Sequence, residues 1–247
     1  MIVANMATYP ARGQHLRQVV DSLLPQVDRI NLVFNEYDTI PDWAATADKI
    51  NAVIPDSDQK DVGKFYVETP EAKWIAFVDD DIIFPADYMQ TSIARIEALP
   101  TDRTFCGYHG SIYEKPRFGL TPSRLFKYFS PLETVIQRSR RNFVFTRLLE
   151  KPTIVDQIAT NTSFIRGSDM PPYAYMKDSQ KFVDVRLAKW CFEKGITSVC
   201  LPRAKGWLDE YRYDETIYHG FTRRGHPEVG REVLSYAFKT ATVGQPI

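Results

Sequence analysis

The sequence lacks the features that mark several large classes of protein. No apolar run approaches the about 20 residues of a transmembrane helix, and because Ile2 already begins strand-like sequence we expect no signal peptide. The chain has 31 basic and 31 acidic side chains, a balance that argues against a dedicated nucleic-acid-binding protein. Its three cysteines, Cys106, Cys191 and Cys200, form no CxxC pair and lie among apolar neighbours, so we expect reduced core residues of a cytoplasmic protein.

What remains is an ordinary globular composition. Apolar residues make up 44% of the 247 residues and charged residues 25%. No internal repeat, low-complexity tract or domain linker divides the sequence, and a chain of this length buries most of its apolar surface. We therefore expect one domain, residues 1–247, around a single core.

Three consecutive carboxylates stand out in the stretch WIAFVDDDIIFPADY, residues 74–88. Trp74–Val78 is typical of a buried strand, and Asp79, Asp80 and Asp81 follow it directly. Alternate residues of an extended segment share a face, so Asp79 and Asp81 would point together, with Asp80 opposed, and like charges there would repel. A divalent cation removes that repulsion, and Mg²⁺ or Mn²⁺ is typically held by one or two carboxylates together with phosphate oxygens and water.

A structural alternative exists for the same three residues. One aspartate could cap the following helix while its two neighbours are solvated. That helix would begin only at Pro85, well after the acids, so capping explains at most one of them. We therefore favour a metal and phosphate site.

A strand, helix, strand pattern opens the chain. Residues 2–6 are an apolar strand, residues 14–24 carry apolar side chains at helical spacing, and Arg29–Phe34 is a second strand. Such a unit implies a parallel sheet whose ligand crevice lies outside the carboxyl ends of the strands. The polar residues that fall at those ends are Tyr9, Arg12, Asn35 and the acidic triplet.

Helical and strand-like segments continue to alternate beyond this unit. Asp184 opens one predicted helix, either as an acid favoured by the helix dipole or as a carboxylate aimed into the crevice. Lys64 either balances a ligand phosphate or lies on the surface. The polar, aromatic tail beyond Asp209, with His219 and His226, resembles a lid more than a core element. The further predicted elements are helices at 44–53, 86–99 and 182–193 and strands at 104–113, 154–165 and 196–201.

Residues 114–151 differ from the rest of the chain in charge. They hold nine basic and three acidic residues, a net charge of +6. Ser130 to Glu133 has the pattern of a capping box, with Pro131 at the first helical position, so we predict a helix that begins there. This basic segment is either a surface helix with a solvated basic side or a binding surface for an anionic acceptor or for membrane headgroups.

Three stretches together resemble one family of enzymes. They are ATYPARGQHLRQVVDSLLPQVDRINLVFN at 7–35, VDDDIIFPADY at 78–88 and FVDVRLAKW at 182–190. In order and spacing they are similar to family 2-like glycosyltransferases of the glycosyltransferase A fold, over about residues 2–208. The most similar members are bacterial enzymes of surface-polysaccharide assembly. The resemblance implies a single Rossmann-like α/β domain with a mainly parallel central sheet flanked by helices, its nucleotide-binding half at about 1–110 and its acceptor-binding half at about 111–247.

The resemblance also implies where the nucleotide would bind. In this family the base lies near the end of the first strand, a position that Thr8, Tyr9 and Arg12 match. Asp61 and Lys64 would lie beside the base or the diphosphate. Asn35 is a further candidate, although Asn35-Glu36 stands where an Asp pair often follows the second strand of relatives.

The acids and a histidine would carry the chemistry. Asp79 or Asp80 would contact the ribose or a bridging water, and Asp81, together with Asp79, would ligate the metal. A histidine near the C-terminus completes this site in many members, and our first candidate is His219 and our second His226. Asp184 matches the general base of inverting members, although Val183 precedes it where many relatives have a Glu.

The resemblance finally implies a reaction. We expect a Mn²⁺- or Mg²⁺-dependent, inverting transfer from a nucleotide-diphosphate sugar, a UDP-sugar in many members, to a glycan or lipid-linked glycan acceptor. The enzyme would be cytoplasmic, with peripheral contact at the inner face of the membrane through residues 114–151. Candidate acceptor contacts, each of which could equally be core packing, are Tyr173, Tyr175, Trp207 and His109.

Two other functions remain open at this point. A sugar-phosphate nucleotidyltransferase uses a related sheet and acidic metal ligands, but TYPARG at 8–13 is a poor substitute for its Gly-rich phosphate loop. A non-catalytic carbohydrate- or membrane-binding module could keep the same fold, because fold alone does not establish activity.

Overall fold

An eight-stranded sheet forms the centre of the computed structural model, which describes residues 1–211 and 226–247. The strands of the described residues are β1 Ile2–Thr8, β2 Arg29–Phe34, β3 Ile50–Val53, β4 Trp74–Val78, β5 Ile82–Ile83, β6 Thr104–Gly107, β7 Gly110–Tyr113, β8 Arg140–Phe143, β9 Thr153–Ile154, β10 Gln157–Ile158, β11 Thr162–Ile165, β12 Thr197–Cys200 and β13 Asp209–Glu210. The helices are α1 Gly13–Leu23, α2 Asp42–Ala45, α3 Tyr88–Glu97, α4 Pro122–Phe129, α5 Leu132–Val135, α6 Tyr173–Met176, α7 Val183–Glu193 and α8 Pro227–Leu234. Short 3-10 helices lie at Pro10–Arg12, Leu24–Gln26, Lys60–Phe65, Ile136–Arg138 and Gly167–Asp169.

The strand order of the central sheet is β3-β2-β1-β4-β11-β6-β12-β9. The pairs β3–β2, β2–β1, β1–β4 and β6–β12 are parallel. Strand β11 is antiparallel to both of its neighbours, and β9 is antiparallel to β12. The prediction of an α/β fold with a mainly parallel central sheet flanked by helices is confirmed.

Helices cover both faces of this sheet because its central strands are apolar on both sides. Strand β4 shows this clearly, since it is buried throughout. Trp74, Ala76 and Val78 belong to a core shared with α1 and α3, whereas Ile75 and Phe77 belong to a core shared with α7 and the 3-10 helix Lys60–Phe65. Side chains alternate between the faces of a strand, so one short segment anchors two layers of helices.

Two smaller sheets accompany the central one. Strands β10, β7 and β8 form an antiparallel sheet, and β13 pairs with β5. The predicted strand at 104–113 is therefore two strands, β6 in the central sheet and β7 in the smaller one. The chain changes sheets at Tyr108 and His109, before Gly110, where an added Cβ would lie only 3.1 Å from Cys200 Cβ. The predicted strand at 154–165 divides in the same way into β9, β10 and β11.

Several local predictions are wrong. The predicted helix at 44–53 is instead the short helix α2 followed by β3, which pairs with β2 at the sheet edge. The helix predicted from Pro131 is α5, only four residues long, and the chain soon enters β8. The longer helix of the basic segment is α4, which has Thr121 at its N-cap position and Pro122 as its first residue. Tertiary pairing overrides local propensity in both places.

The end of the chain is a core element rather than a lid in the part that the structure describes. Val229, Val233, Tyr236 and Ala237 are buried in a cluster with residues of α7. Helix α8 packs so closely on α5 that a Cβ at Gly230 would lie 1.8 Å from the Glu133 carbonyl oxygen. His219 lies outside the described residues.

The cysteines lie in the core, as the sequence analysis predicts. Cys106, Cys191 and Cys200 are buried and form no disulfide. Across residues 1–211 and 226–247, no helix is both long and apolar enough to cross a bilayer.

Candidate functional site

A cavity of about 610 Å³ opens at the carboxyl ends of the central parallel strands. The register of the sheet explains its position: Thr8 at the end of β1 pairs with Phe34 at the end of β2, and the Asn35 amide donates to the Thr8 carbonyl oxygen at 2.9 Å. Strand β4 ends beside β1, so its acidic triplet joins the same edge. The predicted site residues that line the cavity are Thr8, Tyr9, Arg12, Asn35, Asp61, Lys64, Asp79, Asp80, Asp81 and Asp184.

Asp79 is held by a buried lysine. Lys64, only 5% exposed, donates to Asp79 Oδ1 and, at 2.8 Å, to the carbonyl oxygen of Thr160. Burial alone would lower the pKa of Lys64, but Asp79, Asp184 and Asp61 together raise it. Lys64 is therefore a buried lysine among several carboxylates, which favour its charged form, and the interpretation of it as a surface residue is wrong.

Asp81 is paired with an arginine from the turn after β1. Arg12 Nη1 lies 2.6 Å from Asp81 Oδ2, and Arg12 is 8% exposed. Burial and the nearby Asp79 raise the pKa of Asp81 to about 7, although Arg12 opposes that increase. Burial is the largest single effect and would lower the pKa of Arg12, but Asp81, Tyr9 and Asp80 together outweigh it, so the pKa of the guanidinium is raised.

Asp80 is the most buried acid of the triplet. Burial raises its pKa to about 6, against the opposing effects of the Thr8 hydroxyl, Arg12 and Lys64. Within the described residues, neither Asp80 Oδ2 nor Thr8 Oγ1 has a hydrogen bond of normal geometry. A buried carboxylate oxygen without a well-formed hydrogen bond is costly, so this corner of the cavity favours a bound cation or donor.

The donor set suits a hard divalent cation, although the described carboxylates do not form a finished cage. Carboxylate oxygens are the ligands that Mg²⁺ and Mn²⁺ prefer, and such ions take few of them when phosphate and water complete the shell. No three His, Cys, Asp or Glu side chains converge as a metal site within 1–211 and 226–247. Any ion held by Asp79 and Asp81 would share them with Lys64 and Arg12.

Asp184 reaches the cavity from the first turn of α7. Its Oδ1 accepts hydrogen bonds from both the amide and the hydroxyl of Thr160, each at 2.9 Å. Burial raises the pKa of Asp184, and Thr160 and Lys64 oppose the shift. Both of these hydrogen bonds engage Oδ1, so Thr160 fixes the carboxylate through one of its two oxygens. The two interpretations of Asp184 are compatible, since a residue in the first helical turn also lines the cavity.

Asp61 and Asn35 fix the turn that carries Lys64. Asp61 Oδ1 accepts the amide of Lys181 at 2.7 Å, and burial raises the pKa of Asp61 to about 6. Asn35 accepts the amide of Gln59 at 2.9 Å and donates to the carbonyl oxygen of Lys60 at 3.1 Å. Both side chains line the cavity, and both also stabilise the turn through these hydrogen bonds.

Another wall of the cavity is formed mainly by the smaller sheet, and the sequence analysis names only His109 among its residues. Burial, with Arg140 and Arg203 adding to it, lowers the pKa of His109 to about 4, so this imidazole is neutral at pH 7. Tyr113 donates to Gln157 Oε1 at 2.6 Å. The sequence feature that indicates this wall is the alternation along the strand, which places Ser111 and Tyr113 on one face. The residues of this wall that line the cavity are His109, Ser111, Tyr113, Gln137, Arg140 and Gln157.

Other candidates lie elsewhere. His226 is not among the residues that line the described cavity; its amide donates to Gln137 Oε1 at 2.8 Å, and its Nδ1 lies 3.5 Å from Glu228 Oε1. Of the aromatic acceptor candidates, only His109 lines this cavity. Tyr175 packs on Trp190 and Trp207 on Tyr108, so for these two residues packing is what the structure shows.

Comparison with known proteins adds no family to this geometry. A scan against models of protein families finds none that matches the chain. A search of curated proteins also finds no match. The case for a function therefore depends on the contacts in the cavity.

Proposed function

We propose that the chain is a metal-dependent glycosyltransferase of the glycosyltransferase A type. It would transfer a sugar from a nucleotide diphosphate, with a UDP-sugar as the first donor to test, to a glycan acceptor in polysaccharide biosynthesis. The observation that carries the proposal is the meeting of two acidic groups in one cavity: the triplet at the end of β4 and Asp184 at the start of α7.

The two groups suit different tasks because their surroundings differ. Asp79 and Asp81 are each paired with a cation at a sheet edge where ligands of α/β proteins bind. Asp184 instead accepts neutral hydrogen bonds from Thr160. Burial raises the pKa of Asp184, and a raised pKa makes a carboxylate a better proton acceptor.

Charge at the triplet supports binding of a diphosphate. Asp81 and Asp79 would hold the divalent cation, with Asp80 Oδ2 as an additional buried oxygen. When bound, such a cation stabilises negative charge on a diphosphate. Arg12 and Lys64 lie at the same edge and would hold donor phosphate oxygens as the carboxylates turn to the cation.

The residues of the chain account for a single displacement. The hydroxyl oxygen of the acceptor forms a bond to the anomeric carbon of the donor sugar while the bond from that carbon to the diphosphate breaks. The hydroxyl proton passes to Asp184, and the nucleotide diphosphate leaves with the bonding electrons. Thr160 fixes Asp184 through Oδ1, which orients the carboxylate before the acceptor arrives. Attack opposite to the leaving group inverts the configuration.

One observation favours a second candidate, a non-catalytic carbohydrate-binding module. Asp79 and Asp81 are already neutralised by Lys64 and Arg12. A cavity with internal compensation needs no cation for stability and could bind a neutral sugar through its hydroxyl and amide groups.

Calorimetric titration distinguishes the two candidates. Nucleotide diphosphates are titrated with and without Mn²⁺ into the wild type, Asp81→Ala and the control Asp87→Ala, which changes an exposed aspartate just before α3. The proposal predicts binding of one nucleotide that needs Mn²⁺, is weakened about tenfold or more in Asp81→Ala and is unchanged in the control.

Two results would reject the assignment. If no nucleotide bound in a Mn²⁺-dependent way, the acidic triplet would not be a metal site, and the non-catalytic candidate would become the better one. If Asp81→Ala bound with normal metal dependence, Asp81 would not be a ligand. Asp81→Asn, which keeps a hydrogen-bond acceptor for Arg12, separates loss of a ligand from loss of folding.

A further inference from the structure

The largest group of exposed apolar side chains on the described surface lies on and beside α4. Ten large hydrophobic residues are exposed among the described residues, and five of them fall within 118–129. Leu120 is 85% exposed, Phe129 74% and Phe126 63%. Helix α4 contains no buried residue at all. Single exposed apolar residues are ordinary, but a concentration of this kind marks an interaction surface.

Basic side chains accompany these aromatic residues. Lys115, Arg117, Arg124 and Lys127 lie in 115–132, a stretch that contains no acidic residue. The whole basic segment 114–151 carries +6, and because the chain has 31 residues of each sign, everything outside this segment carries −6. This strongly positive segment therefore also holds the most exposed aromatic side chains of the described residues.

We propose that residues 115–129, here termed the α4 patch, dock on a membrane surface rich in anionic phospholipid. A bilayer interface accepts Phe, Tyr and Leu at its boundary and lipid phosphates attract Lys and Arg, so one surface satisfies both features of the patch. A second copy of this chain is less suitable, because two such patches would bring their positive charges together.

The patch is joined to the wall of the cavity. Lys127 Nζ donates to the carbonyl oxygen of Arg138 at 3.3 Å. Two residues later, Arg140 lines the cavity and begins β8, which pairs with β7. Docking through α4 would hold the cavity near the membrane, where a lipid-linked acceptor resides. The docking itself does not depend on the proposed transfer reaction.

Vesicle flotation tests the inference. The full chain is mixed with vesicles of phosphatidylcholine that contain about 30% phosphatidylglycerol, and separately with pure phosphatidylcholine. We expect binding to the anionic vesicles, weakened by salt because screening shortens the reach of surface charge. Phe126→Ser with Phe129→Ser, and separately Arg124→Glu with Lys127→Glu, should each reduce partitioning by about tenfold or more.

Matched variants control for folding and for overall charge. Phe192→Ser changes an exposed aromatic residue on α7, and Lys177→Glu with Lys205→Glu makes the same change of charge outside the segment. Both should float as the wild type does, and circular dichroism should match for all variants. The inference fails if the wild type does not float, if it floats equally with neutral vesicles, or if both patch variants float normally. It also fails if the Phe variant only converts a dimer to a monomer in ultracentrifugation.

Discussion

The cavity wall and the α4 patch differ in how their charged side chains are compensated. At the cavity, buried Lys64 and Arg12 are each placed against a carboxylate. On the patch, Arg124 and Phe126 are both exposed to water. Burial makes an uncompensated charge expensive, so the cavity needs its pairs, whereas solvent screens the patch and leaves its charges available for a partner.

The comparison teaches how to assign roles to the same residue types. A basic residue in the cavity compensates a buried carboxylate, so it contributes to the stability of the fold whether or not it also takes part in a reaction. A basic residue on the patch contributes little to folding, so its presence requires another explanation. The same substitution made in the cavity and on the patch should therefore change stability by different amounts.

The largest expected effect is on catalysis, from Asp184→Asn. Asparagine keeps Oδ1 as an acceptor for both groups of Thr160, so the fold and nucleotide binding should be retained. Under the proposed function, the side chain could no longer take the acceptor proton, and transfer should fall by about 10²- to 10⁴-fold. Product formation with radiolabelled donor measures the rate, and calorimetry checks nucleotide binding.

The basic segment supplies the control for that comparison. Glu150→Gln removes an exposed carboxylate there and should leave the transfer rate unchanged. Normal transfer by Asp184→Asn would remove this residue from the mechanism, whereas a parallel loss of nucleotide binding would show that Asp184 supports the cavity rather than the chemistry.

The central sheet could be predicted well because its signals are local. Trp74–Val78 and Arg29–Phe34 are continuous apolar runs, and the structure has strands with the same bounds. The helix predicted at 44–53 is wrong because β3 is held at the sheet edge by its pairing with β2, a long-range contact that no local pattern contains. The division of 104–113 between two sheets also depends on distant partners.

The candidate site shows the same division. Thr8 ends β1, and Asn35 and Asp79 follow β2 and β4, its parallel neighbours, so topology alone predicts that they share one edge. The pairing of Lys64 with Asp79 could not be read from the sequence, because it depends on how the 3-10 helix Lys60–Phe65 packs across the sheet. Of the wall formed by the smaller sheet, the sequence identifies only His109 as a candidate, for the same reason.

The second expected effect is on stability and tests the contrast directly. Lys64→Met removes a buried cation and leaves Asp79 facing Asp184 and Asp61 without compensation. We expect the free energy of unfolding to fall by about 2–4 kcal/mol. Lys151→Met makes the same substitution at an exposed position of the basic segment and should change it by less than about 0.5 kcal/mol.

Urea denaturation followed by circular dichroism measures both variants. Equal losses would contradict the contrast between the two regions, because the buried pairs would then be worth no more than solvated charges. If the free energy of unfolding of Lys64→Met were only slightly lower than that of the wild type, the neighbouring carboxylates would be taking up protons when the lysine is removed.

The smallest expected effect concerns Asp156, at the junction of the two regions. Asp156 Oδ2 accepts the amide of Tyr113, the last residue before the basic segment, at 2.8 Å. Burial raises the pKa of Asp156 from 3.8 to about 6, and the Tyr113 hydrogen bond opposes that shift. Between these values the folded chain holds a proton that the unfolded chain releases, so this residue's contribution to stability falls as pH rises through that range.

Asp156→Asn removes this titration and keeps an acceptor for the Tyr113 amide. A shift of this size corresponds to about 3 kcal/mol, and partial exposure reduces it to about 1–2 kcal/mol. The variant should therefore be more stable than the wild type by that amount at about pH 7, and the difference should vanish below about pH 3, where the carboxyl group is neutral in both states. Urea denaturation at several pH values measures it, with exposed Asp178→Asn as the control. A variant that is less stable at pH 7 would show that the charged hydrogen bond to Tyr113 outweighs the cost of burial. Asp156 would then resemble the carboxylates of the cavity, whose buried charges are compensated by a partner.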